Sequence, residues 1–149
     1  MILEFESQVP NIPDYTNLIS LCVDTFSNNI DRKFQDSTVS IVIVSEDIIK
    51  NLNSQYRGKD KVTDVLSFNL KDNYTSSDIT LGEIFICYAQ VVRQAQELKH
   101  SIEYEIATLC IHGLCHLIGY DHQNDEDYSI MQAKEKELFK LVAKYYSFS

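Results

Sequence analysis

Three of the chain's four histidines lie within an eleven-residue segment, at positions 112, 116 and 122. His112 and His116 are four residues apart, which on an α-helix places both imidazoles on one face, about 6 Å apart along the axis. Gly119 follows where such a helix is expected to end, because glycine accepts the left-handed backbone found at helix C-termini. The chain can then turn and bring His122 back toward the same point.

Three neutral imidazoles with an open fourth position are typical of a catalytic zinc site, whereas structural zinc sites are closed by four ligands. The pair H-x3-H on a helix is a recognised zinc signature. Gly113 replaces the glutamate that acts as general base in H-E-x-x-H metalloproteases, which disfavours peptide hydrolysis by the usual route. The pattern therefore predicts one zinc ion per chain, bound by His112, His116 and His122.

At this segment the chain resembles a known family. HGLCHLIGYDH, from His112 to His122, resembles the signature HGxLHLxGYDH of the YbeY family of bacterial endoribonucleases. NSQYRGKDKVTDVLSF, from Asn53 to Phe68, is similar to the family's other motif, and LGEI from Leu81 resembles its Gly-Asp-Ile strand. One departure is a cysteine at position 115 in place of leucine, which we interpret as a buried packing residue, with metal contact or sensitivity to oxidation as the alternatives.

The resemblance implies a zinc-dependent endoribonuclease that is specific for single-stranded RNA. It implies a role in 16S rRNA 3′-end maturation and ribosome quality control, with a small-subunit ribosomal protein and an assembly GTPase as partners. It also implies a functional role for Arg57, which occupies the matching position of the second motif. A guanidinium stays charged and binds two phosphate oxygens in its plane, so Arg57 is the candidate catalytic residue.

Several other residues are candidates for supporting this chemistry. Lys59 and Lys61 lie in a locally basic segment and are candidates for binding substrate. Asp121 either fixes a histidine tautomer from outside the ligand set or forms a turn. Asp64 either orients a site residue or caps a turn. Glu105 lies on the histidine face two turns earlier, where we expect a solvated residue rather than a distant base.

The charge of the chain limits how it can bind nucleic acid. Its 13 basic and 22 acidic residues give a net charge of −9, which argues against nonspecific binding of RNA through phosphates. Charge alone favours a metal-dependent hydrolase of peptides or small molecules, which stays as an alternative, as does a non-catalytic zinc-binding ribosome-assembly factor. No apolar run is long enough to span a membrane, the N-terminus does not resemble a signal peptide, and we expect a cytoplasmic protein.

The elements that must position these residues follow from periodicity. Strands are predicted at residues 2–6, 38–44, 64–69 and 81–87. Helices are predicted at residues 14–30, 45–56, 88–98, 101–118 and from 125 onward, with a polar loop at 71–80. Ser45 is expected to cap the second helix, and apolar stripes direct Ile48 and Tyr145 inward.

This order of elements predicts an α+β fold in which a small mixed four-stranded sheet packs with about five helices. We expect one metal-dependent hydrolase domain over residues 1–149, since a chain of this length is usually one domain. The zincin-like character of the domain is implied by the resemblance, and the sequence leaves the direction of each strand pair open.

Overall fold

The computed structural model describes residues 1–70 and 80–148, so all but the last residue of the predicted 71–80 loop lies outside the described residues. The strands are β1 (Ile2–Ser7), β2 (Thr38–Val44), β3 (Val65–Asn69) and β4 (Thr80–Cys87). The helices are α1 (Thr16–Ser27), α2 (Glu46–Arg57), α3 (Tyr88–Leu98), α4 (Ile102–Leu117) and α5 (Asp125–Ala143), with a single 3-10 turn at Arg32–Phe34.

The four strands form one mixed sheet in the order β1-β2-β4-β3. β1, β2 and β4 are parallel, and β3 pairs antiparallel with β4 at the edge. Alternate side chains of a strand point to opposite faces, so Ile41 and Ile43 of β2 join the core around α1, α4 and α5, while Val42 and Val44 join a smaller cluster with Ile49 of α2. The predicted mixed four-stranded sheet with five helices is confirmed.

Helix α4 carries the first two histidines and lies in the middle of the larger core. Its N-terminus is capped by the Ser101 side chain, which accepts a hydrogen bond from the Tyr104 amide. It ends at Leu117, and Gly119 then adopts a positive φ of 105°, which is the turn that the sequence predicts. The end of α4 packs so closely on the β3–β4 pair that a Cβ atom at Gly82 would lie 2.6 Å from Leu117 Cδ2.

Three details of the sequence-based elements are wrong. The Ser45 side chain makes no capping hydrogen bond at α2. Ile48 is 39% exposed, because it lies at the edge of the apolar stripe whose centre, Ile49, is fully buried. Tyr145 is 77% exposed, because α5 ends at Ala143 and the helical stripe does not continue to it. Within the described ranges, every helix is too short or too polar to cross a membrane.

Candidate metal centre

The three histidines converge at the C-terminal end of α4. Ring centroids lie 4.6 Å apart for His112 and His116, 5.3 Å for His116 and His122, and 6.2 Å for His112 and His122. The Nε2 atoms of His112 and His116 are 3.1 Å apart. Two nitrogen ligands about 2.0–2.1 Å from a tetrahedral zinc ion lie about 3.4 Å from each other, so this spacing fits two ligands of one ion.

Asp121 lies among the possible ligands rather than behind them. Donor atoms of His116, Asp121 and His122 all lie within 4.8 Å of one another, and His112 adjoins this group through its contact with His116. Asp121 Oδ1 also accepts a hydrogen bond of 2.8 Å from the His122 amide. Asp121 thus binds the backbone of the next residue, and its carboxylate is at the same time a candidate fourth ligand.

Glu135 of α5 approaches this centre from the opposite side of His112. Its Oε1 lies 3.2 Å from His112 Nδ1. A carboxylate on the second ring nitrogen fixes the tautomer and directs the first nitrogen toward the metal. The sequence analysis missed Glu135, although one signal was available: the residue lies between Met131 and Leu138, both buried on the core stripe of α5.

The environment of His116 favours its neutral form. Burial lowers the pKa of His116, and the neighbouring imidazoles of His112 and His122 lower it further. A neutral imidazole is the form that coordinates a metal. Cys115 beside it is fully buried, and burial together with the nearby Glu135 raises its pKa to about 12. Cys115 is thus held as a thiol in the core, which agrees with a packing role.

A cleft of about 920 Å³ opens beside the histidines. It is lined by β3, by the end of α2 with the following loop, and by the end of α4 with the segment that follows it. All the sequence-predicted site residues line this one cleft, namely Arg57, Lys59, Lys61, Asp64, His112, His116, Asp121 and His122. The structure therefore brings the basic segment and the imidazole cluster to a shared surface.

Arg57 is the last residue of α2 and not part of a loop, as the sequence suggested. The helix extends to it because Gly58 adopts a left-handed φ of 67° and caps the C-terminus. Arg57 Nη2 donates a hydrogen bond of 2.8 Å to the Ser67 carbonyl oxygen, and the guanidinium lies 5.2 Å from the centre of the Phe68 ring. The side chain is therefore held over β3 inside the cleft.

Comparison with known proteins decides the family. The sequence model for the family described as "Endoribonuclease YbeY" matches residues 3–143 of the chain. The chain belongs to the YbeY family. An Endoribonuclease YbeY from Finegoldia magna is 47% identical over 107 residues, which cover 72% of this chain and 70% of that protein. The Endoribonuclease YbeY of Carboxydothermus hydrogenoformans is 35% identical over 140 residues, covering 91% and 96%.

The fold is shared as well. The solution structure of a Thermotoga maritima protein matches with a TM-score of 0.66 and 31% identity, covering 96% of this chain and 90% of that one. The resemblance to YbeY that the two motifs indicated is confirmed, and so is the α+β fold. The chain is accordingly a member of a family of endoribonucleases.

Outside the histidine motif of YbeY, a buried polar network ends at the cleft. Gln94 Nε2 donates a hydrogen bond of 2.8 Å to Glu105 Oε1 and lies 3.3 Å from Asp64 Oδ2. The other carboxylate oxygen of Glu105, Oε2, lies 2.6 Å from His100 Nε2. Glu105 is 3% exposed, so its prediction as a solvated residue is wrong; burial is tolerated because both carboxylate oxygens have partners. Asp64 Oδ1 accepts a hydrogen bond from the amide of Val65, the first residue of β3, and Asp64 also lines the cleft.

Asn53 is the first residue of the segment NSQYRGKDKVTDVLSF, and the sequence did not reveal its role. Asn53 is buried. Its side chain donates a hydrogen bond of 3.0 Å to the Lys61 carbonyl oxygen, and its backbone carbonyl oxygen accepts a hydrogen bond of 3.2 Å from the Lys59 amide. Asn53 therefore ties the backbone of the basic segment to α2. Both lysines remain exposed to solvent, where their charges can meet a ligand in the cleft.

Proposed function

We propose that this chain is a zinc-dependent endoribonuclease that cleaves single-stranded RNA. One observation carries the proposal: the imidazole cluster and the basic segment with Arg57 line the same cleft. The histidines alone would suit any metal-dependent hydrolase. A guanidinium and two ammonium groups facing them suit a substrate whose reacting group is an anionic phosphodiester.

His112, His116 and His122 would hold the metal, with Asp121 within reach as a further ligand. A zinc ion held by these residues would supply Lewis-acid chemistry, which activates water and polarises a phosphoryl oxygen. Glu135 keeps the His112 Nε2 atom directed at the centre through its contact with Nδ1. The lowered pKa of His116 keeps its ring neutral and able to bind a cation.

Arg57 would stabilise the charge that develops on the phosphate. Its guanidinium carries five N–H donors, of which one is used on the Ser67 carbonyl oxygen. That bond and the Phe68 ring fix the orientation of the group before substrate arrives. A preorganised cation of this kind contributes most in the transition state.

Arg57 provides the test of this function. Arg57→Ala should keep the zinc content and melting temperature near those of the wild type, because substitutions at exposed positions usually change stability by about 0.5 kcal/mol or less. RNA cleavage should fall at least about tenfold, since loss of such a donor typically costs about 10²–10³ in rate. Arg57→Lys should recover only part of the rate, because an ammonium cannot make the planar contact.

Two further variants complete this experiment. His116→Ala should lose metal and activity together, and Arg32→Ala, an exposed arginine outside the cleft, should behave like the wild type. Each protein is assayed on RNA, peptide and ester substrates. Cleavage of RNA by Arg57→Ala at the wild-type rate would refute the role of the guanidinium.

The alternative hydrolase has a specific observation against it. A Cβ atom at Gly113 would lie 3.0 Å from the Ile84 side chain and 3.1 Å from Ser67 Oγ. The glutamate used by H-E-x-x-H peptidases would therefore fit at this position only if the Ile84 and Ser67 side chains shifted by a few tenths of an ångström. Peptide or ester hydrolysis without RNA cleavage would establish that alternative, and zinc binding without any hydrolysis would establish the non-catalytic assembly factor.

The cellular role proposed for this activity is maturation of the 16S rRNA 3′ end and ribosome quality control in the cytoplasm. Membership of the YbeY family supports it. A chain with a net charge of −9 gains little from nonspecific attraction to RNA, so a small-subunit ribosomal protein and an assembly GTPase would deliver the substrate. Cells that lack the protein should accumulate unprocessed 3′ ends, as measured by primer-based mapping; normal ends would contradict this role.

A further inference from the structure

Tyr56 is an exposed aromatic residue at the edge of the candidate active-site cleft. It occupies the last turn of α2 directly before Arg57, and 59% of its surface is accessible. Of the exposed aromatic side chains in the described ranges, Tyr56 lines the cleft, whereas Tyr128 and Tyr145 do not. Its position relative to the charged groups is therefore distinctive.

The ring of Tyr56 is held in place by other aromatic rings. Its centroid lies 5.3 Å from that of Phe68 in an edge-to-face arrangement with an interplanar angle of 64°. Phe68 in turn meets Phe85 at 5.8 Å and 70°, and Phe85 packs against the buried cluster around Val44. Edge-to-face contact orients an aromatic ring without covering both of its faces, so a flat surface stays open toward solvent.

The same Phe68 ring also supports the Arg57 guanidinium, which lies 5.2 Å from its centre. Tyr56 and Arg57 are thus positioned by one shared residue on β3. Lys59 and Lys61 follow along the same cleft. Proteins that bind single-stranded nucleic acid combine a positively charged groove along the backbone with aromatic side chains on which bases stack.

We propose that Tyr56 is the stacking platform for one unpaired nucleobase of the RNA, next to the phosphate bound by Arg57. This inference rests on the proposed endoribonuclease function, and it assigns the selection of single-stranded RNA to Tyr56. A base in a duplex is stacked on both sides and cannot offer a face to Tyr56, whereas an unpaired base can. Stacking on a ring tolerates any base, so Tyr56 selects single strands without selecting a sequence.

The Tyr56 hydroxyl takes no part in this contact. Within the part of the chain that the structure describes, it makes no hydrogen bond. The platform is therefore the ring itself, and Tyr56→Phe should retain it. Tyr56→Leu should keep the packing on Phe68 while removing the aromatic face, which separates stacking from folding.

The experiment compares the wild type with Tyr56→Phe, Tyr56→Leu and Tyr56→Ala on a single-stranded oligoribonucleotide. Tyr128→Ala is the matched control, because Tyr128 is 53% exposed on α5 and lies outside the cleft. The Leu and Ala variants should raise KM at least about fivefold, which corresponds to the binding free energy usually lost with one stacked base. The value of kcat should stay nearly unchanged. Tyr56→Phe and Tyr128→Ala should match the wild type.

A substrate series locates the base. Oligonucleotides with one abasic position at a time are tested with the wild type and Tyr56→Leu. At the position that contacts Tyr56, the increase in KM caused by the missing base and the increase caused by Tyr56→Leu should not add. Wild-type KM values for Tyr56→Leu, or additive losses at every position, would overturn the inference while leaving the endoribonuclease intact. If the wild type neither cleaves nor binds the oligonucleotide by fluorescence anisotropy, the proposed function falls as well.

Discussion

At the scale of single residues, the contact between Glu135 and His112 determines how the candidate metal centre is held. The carboxylate lies 3.2 Å from His112 Nδ1, on the opposite side of the ring from the nitrogen that faces His116. Met131 and Leu138 are buried before and after Glu135, so α5 cannot shift easily and the carboxylate stays in place. The orientation of His112 thus depends on packing between α4 and α5.

Removing this carboxylate should weaken the metal centre without unfolding the protein. Glu135→Ala should lower zinc affinity about 10- to 100-fold, the usual loss when the partner of a metal-bound histidine is removed. The zinc affinity of Glu135→Gln should lie between those of the wild type and Glu135→Ala, because an amide oxygen can still accept a hydrogen bond from His112 Nδ1. Competition with a chelator measures the affinity.

Glu137→Gln is the control for this change, since Glu137 lies on the same helix, is largely exposed and forms an ion pair of 3.6 Å with Lys134. Wild-type zinc affinity in Glu135→Ala would show that His112 is oriented by the fold alone.

The same contact shows which parts of the site were predictable from sequence. His112 and His116 were predictable because the geometry of a helix is local and fixes residues four apart. Glu135 was not, because its contact spans 23 residues and depends on how two helices pack. Glu105 was misjudged for the same reason: its partners Gln94 and His100 come from outside α4.

At the scale of elements, α4 is positioned by its close approach to the sheet. Gly82 of β4 lies beneath Leu117 at the end of the helix, and Gly113 lies against Ile84. Without a Cβ at these two positions, the helix can lie directly on the β3–β4 pair and hold the histidines at the cleft. The sequence predicted each strand and helix from its periodicity, but not the position of β4 between β2 and β3, because strand pairing is not local.

Gly82→Ala should therefore destabilise the fold. The added methyl group would lie against the Phe68 carbonyl oxygen and 2.6 Å from Leu117 Cδ2, and overpacking of this kind typically costs about 1–3 kcal/mol. Denaturant titration measures the free energy of unfolding.

Gly58→Ala gives a comparison without a clash, since nothing lies within 4 Å and only the left-handed φ of 67° opposes the change. It should cost about 1 kcal/mol. Equal stability of Gly82→Ala and the wild type would show that α4 and the β3 backbone at Phe68 both shift to admit the methyl group.

At the scale of the whole molecule, buried thiols extend through the core. Cys22 lies on α1, Cys87 at the end of β4, and Cys110 and Cys115 on α4, and all four are buried and free. Burial raises the pKa of Cys87 and raises that of Cys115 to about 12. A hydrogen bond with Cys22, together with burial, raises the pKa of Cys110. The folded state thus keeps Cys87, Cys110 and Cys115 protonated where the unfolded chain would ionise them.

The protein should consequently lose stability in alkaline solution. The pKa of a thiol in the unfolded chain is near 9.0, so above that pH the unfolded state binds fewer protons and the free energy of unfolding falls. Each such thiol contributes up to about 1.4 kcal/mol per pH unit until its folded pKa is reached. Urea titrations at pH 8, 9 and 10 measure the slope.

Cys115→Ala should be less stable at pH 8 because of the cavity it leaves, yet show a shallower loss of stability toward pH 10. Parallel slopes for this variant and the wild type would mean that Cys115 ionises in the folded protein.

The candidate ligands all belong to one continuous stretch between His112 and His122, most of it already ordered by α4. A crosslink that closes so short a loop removes less conformational entropy from the unfolded chain than one between distant segments, and the difference is modest because that entropy grows only with the logarithm of loop length. Bound zinc would add stability by mass action, in proportion to the logarithm of free zinc once its concentration exceeds the dissociation constant, and would not join distant segments of the chain. We therefore expect the chain to release and recapture zinc while folded, in which case zinc supply, and not refolding, would govern how quickly the proposed activity returns.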